Sequence, residues 1–221
     1  MGNKKGILIV VSGFSGAGKG TIMGKLIEDY SDKYSLSISA TTRQPRPGEV
    51  DGKSYFFVDT EKFENMIAEN ELIEYAQYVG NYYGTPKAYV EEQLAAGKNV
   101  ILEIEIQGAL KVREQFPDTK LIFVSAPSAQ VLRNRLVGRG TEAPEVVEAR
   151  LSRAYEESLG IEEYNYFVVN DDLLDCVALM DSIITNEREG NANLNEANLV
   201  ANNIEFINKT RKELLGFSKG E

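Results

Sequence analysis

The run Gly13-Phe-Ser-Gly-Ala-Gly-Lys-Gly-Thr21 constrains this chain more than any other stretch of it. It follows Ile7–Val11, a β-branched run that reads as a buried strand. It leads into Thr21–Tyr30, where Ile22, Leu26 and Ile27 fall at helical spacing. Strand, glycine-rich turn and helix start together form a cradle for an anion. The glycines let backbone N–H groups turn inward, the helix end adds partial positive charge, and Lys19 adds a full one. The expected ligand is the phosphate tail of a nucleoside triphosphate, held by Gly13, Ser15, Gly16, Ala17, Gly18, Lys19, Gly20 and Thr21. In the usual pattern a hydroxyl residue follows the lysine directly and reaches a metal ion. Gly20 stands in that place and the hydroxyl arrives one residue later, so Thr21 is a candidate magnesium ligand either directly or through water.

Composition narrows the chemistry. The chain has no histidine and one cysteine, Cys176, which excludes histidine triads, histidine metal ligands and an internal disulfide framework. Catalysis is left to carboxylates, Lys, Arg, hydroxyls or a bound metal. The net charge of −10 argues against a general nucleic-acid binder. No apolar run approaches the roughly 20 residues of a membrane span, and the N-terminus carries no secretory or myristoylation signal. A soluble cytoplasmic protein without nucleic-acid, membrane or obligate protein partners is the expectation.

Strand-like and helical runs alternate, which predicts an α/β fold with a mostly parallel sheet flanked by helices. The predicted buried strands are Ile7–Val11, Ser35–Ser39, Val100–Ile106, Leu121–Ser125 and Phe167–Val169. Residues 39–96 look different: Arg43-Gln-Pro-Arg-Pro-Gly48, then Tyr55-Phe-Phe-Val58, a helical Thr60–Asn70, and two short strands around Gly80-Asn81. That pattern predicts an inserted α+β subdomain. Residues 130–158 read as two charge-rich helices around a Gly138-Arg-Gly-Thr141 joint, either a solvated hairpin or a lid. The core is then 1–38, 97–129 and 159–221, all in one domain of 221 residues. The asparagine-rich stretch 187–198 reads as a loop with no chemistry, and an amphipathic helix with Ile204, Ile207 and Leu214 follows it.

Further motifs follow in order: Ser39-Ala-Thr-Thr-Arg-Gln-Pro-Arg-Pro-Gly-Glu-Val-Asp-Gly-Lys-Ser-Tyr55, Glu71-Leu-Ile-Glu-Tyr-Ala76, Gly80-Asn-Tyr-Tyr-Gly84, Ile101-Leu-Glu-Ile-Glu-Ile-Gln-Gly108, Arg135-Leu-Val-Gly-Arg-Gly-Thr141 and Val168-Val-Asn-Asp-Asp172. With the phosphate loop they resemble the guanylate kinase family over about residues 6–185. The resemblance implies a P-loop three-layer core, a GMP-binding insertion and a helical lid. It also implies phosphoryl transfer from ATP to GMP, and to dGMP, with Mg²⁺.

Roles follow by resemblance. Arg43, Arg46, Tyr55 and Tyr83 would hold the acceptor phosphate, and planar guanidinium forks suit phosphate oxygens. Glu74 would accept from guanine N1–H and its amino group, with Glu105 beside it and Ser39 and Thr85 completing the base contacts. Adenine, with a lone pair at N1, would meet that carboxylate with repulsion. Lys19, Arg135, Arg139 and Arg150, with Arg43, would carry the transfer, and Asn170 with nearby Asp171 would lie on the adenine side. Family members often carry Asp where this chain has Glu105, and Ser where it has Thr85. Glu103 and Glu105, two apart on the predicted strand, would share one face. The competing readings are a non-catalytic phosphopeptide-binding domain of similar fold and a kinase for another small phosphorylated acceptor.

Overall fold

The apolar run after Gly6 becomes the middle strand of a five-stranded parallel sheet. In chain order its strands are β1 (Leu8–Gly13), β2 (Tyr34–Leu36), β7 (Asn99–Glu103), β8 (Lys120–Ser125) and β9 (Tyr166–Val169). In space they run β2-β7-β1-β8-β9. Strands covered on both faces need near-continuous apolar sequence, and Ile9–Val11, Val100–Leu102 and Leu121–Val124 are all buried. The computed structural model describes residues 4–78, 80–138 and 144–218.

A second, four-stranded sheet holds β3 (Ala40–Thr41), β4 (Phe56–Phe57), β5 (Leu72–Tyr78) and β6 (Asn81–Pro86) in the order β4-β3-β6-β5. The β5–β6 pair is the hairpin expected around Gly80, with a register irregularity between Leu72 and Tyr75. Helix α2 (Thr60–Ala68) closes a small core of its own, in which Phe63 stacks on Tyr82 beside Ala40 and Leu72. This sheet joins the main body through β5. Ile73 is buried in the main core, and its carbonyl accepts the Gln115 side-chain amide at 2.9 Å.

The remaining helices are α1 (Lys19–Asp29), α3 (Lys87–Ala95), α4 (Ile106–Gln115), α5 (Ala129–Val137), α6 (Pro144–Ser158), α7 (Leu173–Glu189) and α8 (Ile204–Ser218). α1 packs with α7, α3 against β7, and α4 against β1. α8 packs on α5 and α6, whose Leu132, Leu136, Val147 and Leu151 are buried in the main core.

The structure corrects four expectations. The strand predicted as Val100–Ile106 ends at Glu103, because Glu105 (φ −79°, ψ 166°) is the residue that caps the start of α4. Glu103 and Glu105 therefore do not share a strand face. The helix predicted as Thr60–Asn70 stops at Ala68, and Asn70 takes a left-handed φ of 56°, which asparagine tolerates. The strand predicted as Ser35–Ser39 is shifted to Tyr34–Leu36. The stretch 187–198 is not an open loop: α7 runs to Glu189 and a 3₁₀ segment follows over Ala192–Asn198. Its Asn195 is buried, accepts from the Asn186 amide at 2.8 Å and donates to the Ile183 carbonyl at 3.1 Å.

Candidate active site

Parallel strands place all their carboxyl ends along one edge of a sheet, where ligands of open α/β folds bind. The register makes this concrete. Val11 pairs with Glu103 and Gly13 with Val124, so the loop after β1 emerges beside the ends of β7 and β8. Two glycines are required there. A Cβ at Gly13 would lie 2.1 Å from the Val124 carbonyl oxygen. Gly18, at φ +90°, would bring a Cβ to 2.5 Å from the Asn170 amide nitrogen. Gly18 caps α1, so the helix N-terminus faces into the loop.

The loop gathers side chains from distant parts of the chain. Lys19 Nζ folds back onto the loop and donates to the Gly13 carbonyl at 2.6 Å and the Phe14 carbonyl at 3.1 Å. Arg150 Nη1 donates to Ser15 Oγ at 2.9 Å. Asn170, just past β9, donates from its amide to the Ala17 carbonyl at 2.8 Å, and its own carbonyl accepts Arg135 Nη2 at 2.9 Å. Arg139 lies outside the described residues, as do Gly140 and Thr141 of the expected joint.

A cavity of about 370 Å³ opens beside the loop, lined among others by Ser12, Ser15, Lys19, Glu103, Glu105, Arg150, Arg153 and Glu157. A smaller one of about 210 Å³ is lined by Ser15, Gly16, Gly18, Lys19, Gly20, Thr21 and Glu103. A third, of about 290 Å³, holds Gly16, Gly18, Thr21, Arg135, Asn170, Asp171 and Leu173, on the flank expected to face the adenine. Desolvation pushes the Glu103 carboxyl up, and the Lys19 ammonium opposes that shift. Glu157 is pushed up to about 6, chiefly by burial, with Lys19 and Arg153 opposing. Sequence reasoning gave no role to Glu157 and counted Arg153 only among the arginines of residues 130–158. Their only signal was helical spacing from Arg150, which without the fold points nowhere.

The acceptor-side residues cluster on the second sheet. Tyr55 and Tyr83 rings meet edge to face at 6.2 Å, and the Arg43 guanidinium lies over Tyr55 at 5.3 Å and Phe57 at 5.8 Å. Arg43 Nη2 also pairs with Glu49 Oε1 at 2.8 Å, while Glu49 Oε2 accepts the Arg46 backbone N–H at 2.7 Å. Glu49 therefore braces the turn that carries both arginines. The Arg43 bond holds its carboxyl below the usual carboxylate range. Glu74, on β5, accepts the Thr85 hydroxyl at 2.8 Å, and burial pushes its carboxyl up. A Cβ at Gly108 would stand 3.4 Å from Glu74 Oε2, so the start of α4 runs beside that carboxylate. Ser39 precedes β3, and its carbonyl accepts the Phe56 N–H. Glu105 is apart from this group. It lines the phosphate-loop cavity and pairs with Arg153 at 2.6 Å.

A glycine-framed loop between a central parallel strand and a helix, ringed by Lys19, Arg135 and Arg150, with a separate arginine–tyrosine–glutamate sheet alongside, defines a P-loop phosphotransferase. The chain belongs to the guanylate kinase family. The model of that family matches residues 5–187. The chain is 52% identical over 185 residues to the guanylate kinase of Clostridioides difficile (strain 630), covering 84% of this chain and 90% of that protein. It is 53% identical over 185 residues to that of Caldanaerobacter subterraneus subsp. tengcongensis, covering 84% and 89%. The crystal structure of guanylate kinase from Anaplasma phagocytophilum aligns with a TM-score of 0.65 at 33% identity, covering 85% of this chain and 89% of that one. Among the described residues no helix is long and apolar enough to cross a membrane.

Proposed function

We infer that this protein transfers the γ-phosphoryl group of ATP to GMP, giving ADP and GDP, and that dGMP also serves as acceptor. The convergence of Lys19, Arg135 and Arg150 on one glycine loop carries this reading. Two polyanions must meet end to end, and this cluster of cations offsets their repulsion. The acceptor phosphate has a second pKa of about 6, so near neutral pH its attacking oxygen is already ionised and needs no general base. A chain without histidine suits that chemistry.

In this reading Arg43 and Arg46 bind the GMP phosphate, with hydroxyls from Tyr55 and Tyr83. The Tyr55 and Phe57 rings and Glu49 already hold the Arg43 side chain in place. Glu74 takes the guanine N1–H and amino group, and its bond from Thr85 fixes the carboxylate plane for that task. Ser39 stands beside this pair. Glu105, bonded to Arg153 here, would meet the acceptor base beside Glu74. Arg139 joins Arg135 and Arg150 at the transferring group as residues 130–158 close over ATP, excluding water from the reaction.

Mg²⁺ is the cofactor this chemistry calls for, and the donor set fits it. The Thr21 hydroxyl and the Glu103 carboxylate line one small cavity with the loop. Among the described residues no cluster of three acidic or thiol groups forms a protein cage. A magnesium ion held by one or two hard oxygens, with phosphates and water as its other ligands, matches that environment. Bound there, the ion would neutralise phosphate charge. The reading keeps the cytoplasmic setting expected from composition.

A coupled assay of ADP release tests the reading. Turnover should be strong with GMP and dGMP and weak with AMP, CMP and UMP. Equal turnover of AMP and GMP would remove Glu74 as the element that chooses the base.

A further inference from the structure

Arg153 belongs to none of the roles above. It lies three residues beyond Arg150 on α6, and residues three apart share a helix face. Arg150 reaches Ser15, so Arg153 is carried toward the same cavity, which both line together with Lys19. Two acids hold it there. Its Nη2 donates to Glu105 Oε2 at 2.6 Å, and its Nε stands 3.5 Å from Glu157 Oε1. The other oxygen of Glu157 is buried without a hydrogen-bond partner among the described residues. Lys19, Arg153 and Glu157 line the same cavity.

We propose that Arg153 is a further phosphate-directed cation of the transfer step, held between Glu105 and Glu157 until the acceptor nucleotide engages Glu105. This rests on the phosphotransfer reading and deepens it.

Three observations support the exchange. The Arg153–Glu105 pair is 49% and 64% exposed. Pairs that exposed contribute about 0–1 kcal/mol, so trading one partner for another costs little. The guanidinium also has room to move. A second cavity of about 460 Å³ is lined by Glu105, Arg153 and Glu157 as well, so the pair borders open space in both. A phosphate in a closing site is a stronger partner than an exposed carboxylate, because guanidinium–phosphate bonds strengthen as water leaves. Glu105 lines the loop cavity and, in the proposed reading, would also meet the acceptor base, so its engagement would link the two halves of the site. Charge delivery would then wait for the acceptor, which guards ATP against transfer to water.

Steady-state kinetics on wild type, R153Q and R153K, with binding of a non-hydrolysable ATP analogue in the absence of GMP, test this. Wild type must turn over GMP; if it does not, the phosphotransfer reading itself falls, whatever Arg153 does. Given an active wild type, R153Q should lose about tenfold or more in kcat, a fraction of what dedicated arginine fingers contribute. Both KM values should stay within about threefold, the signature of an interaction made in the transition state. R153K should regain part of the loss, and Tm should move by less than about 2 °C. Affinity for the ATP analogue alone should be unchanged, because the cation is still stored. A kcat in R153Q within about twofold of wild type overturns the proposal. So does a loss accompanied by a Tm drop beyond about 5 °C, which would make Arg153 structural. A tenfold loss of analogue affinity without GMP overturns the storage step.

Discussion

Glu213, on the last helix, accepts the backbone N–H of Ala129 at 3.0 Å. Ala129 is the first residue of α5, and Ser128 Oγ accepts the Val131 N–H in the same turn. The start of that helix thus receives one acceptor from its own cap and one from a residue 84 positions away. Arg211, two residues earlier, does the converse for α6, donating to the Ser158 carbonyl at 2.6 Å and to Glu162 at 2.7 Å. An anion at a helix start and a cation at a helix end both oppose exposed backbone charge. α8 therefore fixes the roots of the two helices that carry Arg135, Arg150 and Arg153.

Glu213→Ala removes one hydrogen bond to a helix-terminal amide, a loss of about 1 kcal/mol. For a chain of this length that lowers Tm by roughly 2–4 °C, measurable by thermal unfolding at neutral pH. An unchanged Tm would mean that water replaces the carboxylate without cost.

Lys19→Met keeps the volume of the side chain and removes its charge. Transfer should fall by about 10³-fold or more, since the cation follows the phosphate being moved. Circular dichroism and Tm should stay near wild type. An active variant would take Lys19 out of the mechanism.

Glu74→Gln exchanges one acceptor oxygen for a donor facing the guanine donors. The KM for GMP should rise by about 100-fold or more and that for ATP by less than about threefold. Burial raises the Glu74 pKa. Protonation removes the same acceptor, so the wild-type KM for GMP should climb as pH falls through that raised value, sooner than an ordinary glutamate would dictate. Parallel weakening of both substrates would mark Glu74 as structural.

Burial pushes the Glu157 carboxyl up from the ordinary 4.5 to about 6. Between those values the native state holds more protons than the unfolded one, so stability falls as pH rises through the window. The ionised group costs about 2 kcal/mol above it. Glu157→Gln should therefore raise Tm by a few degrees at pH near 7.5 and by much less near pH 4.5. A stabilisation of equal size at both pH values would locate its origin elsewhere than in the charge.

Asn195→Ala removes the bonds from the Asn186 amide and to the Ile183 carbonyl, while the Asn186 amide keeps the Ser182 hydroxyl at 3.4 Å. Losing two such bonds costs roughly 1–2 kcal/mol, and Tm should fall by about 2–6 °C. Retention of the wild-type Tm would mean that the 3₁₀ segment can reseat itself.

The contrast between Lys19 and Asn195 explains what the sequence disclosed. The phosphate loop is local: strand, glycines, lysine and helix follow one another within about fifteen residues, and each element has a period or a turn chemistry of its own. The β5–β6 hairpin was legible for the same reason. Asn195 carries no such mark, because its partners Tyr166 and Ile183 become neighbours only after α7 has folded back on β9. The reach of Arg150 to Ser15, across 135 positions, leaves no trace in spacing, and the resemblance alone suggested it. Glu105 was misjudged by a local rule: a β-rich run does not show where the strand gives way to a helix cap two residues later.

Lys19 is bonded to two carbonyl oxygens of its own loop. Nucleotide binding at this position is then a substitution, in which phosphate oxygens displace peptide oxygens from an ammonium that was never fully hydrated. A lone inorganic anion gains only the difference between the two sets of bonds and competes poorly. A polyphosphate that also reaches the helix amides and the arginines gains enough to displace them. On this geometry the loop should bind a polyphosphate far better than a small free anion.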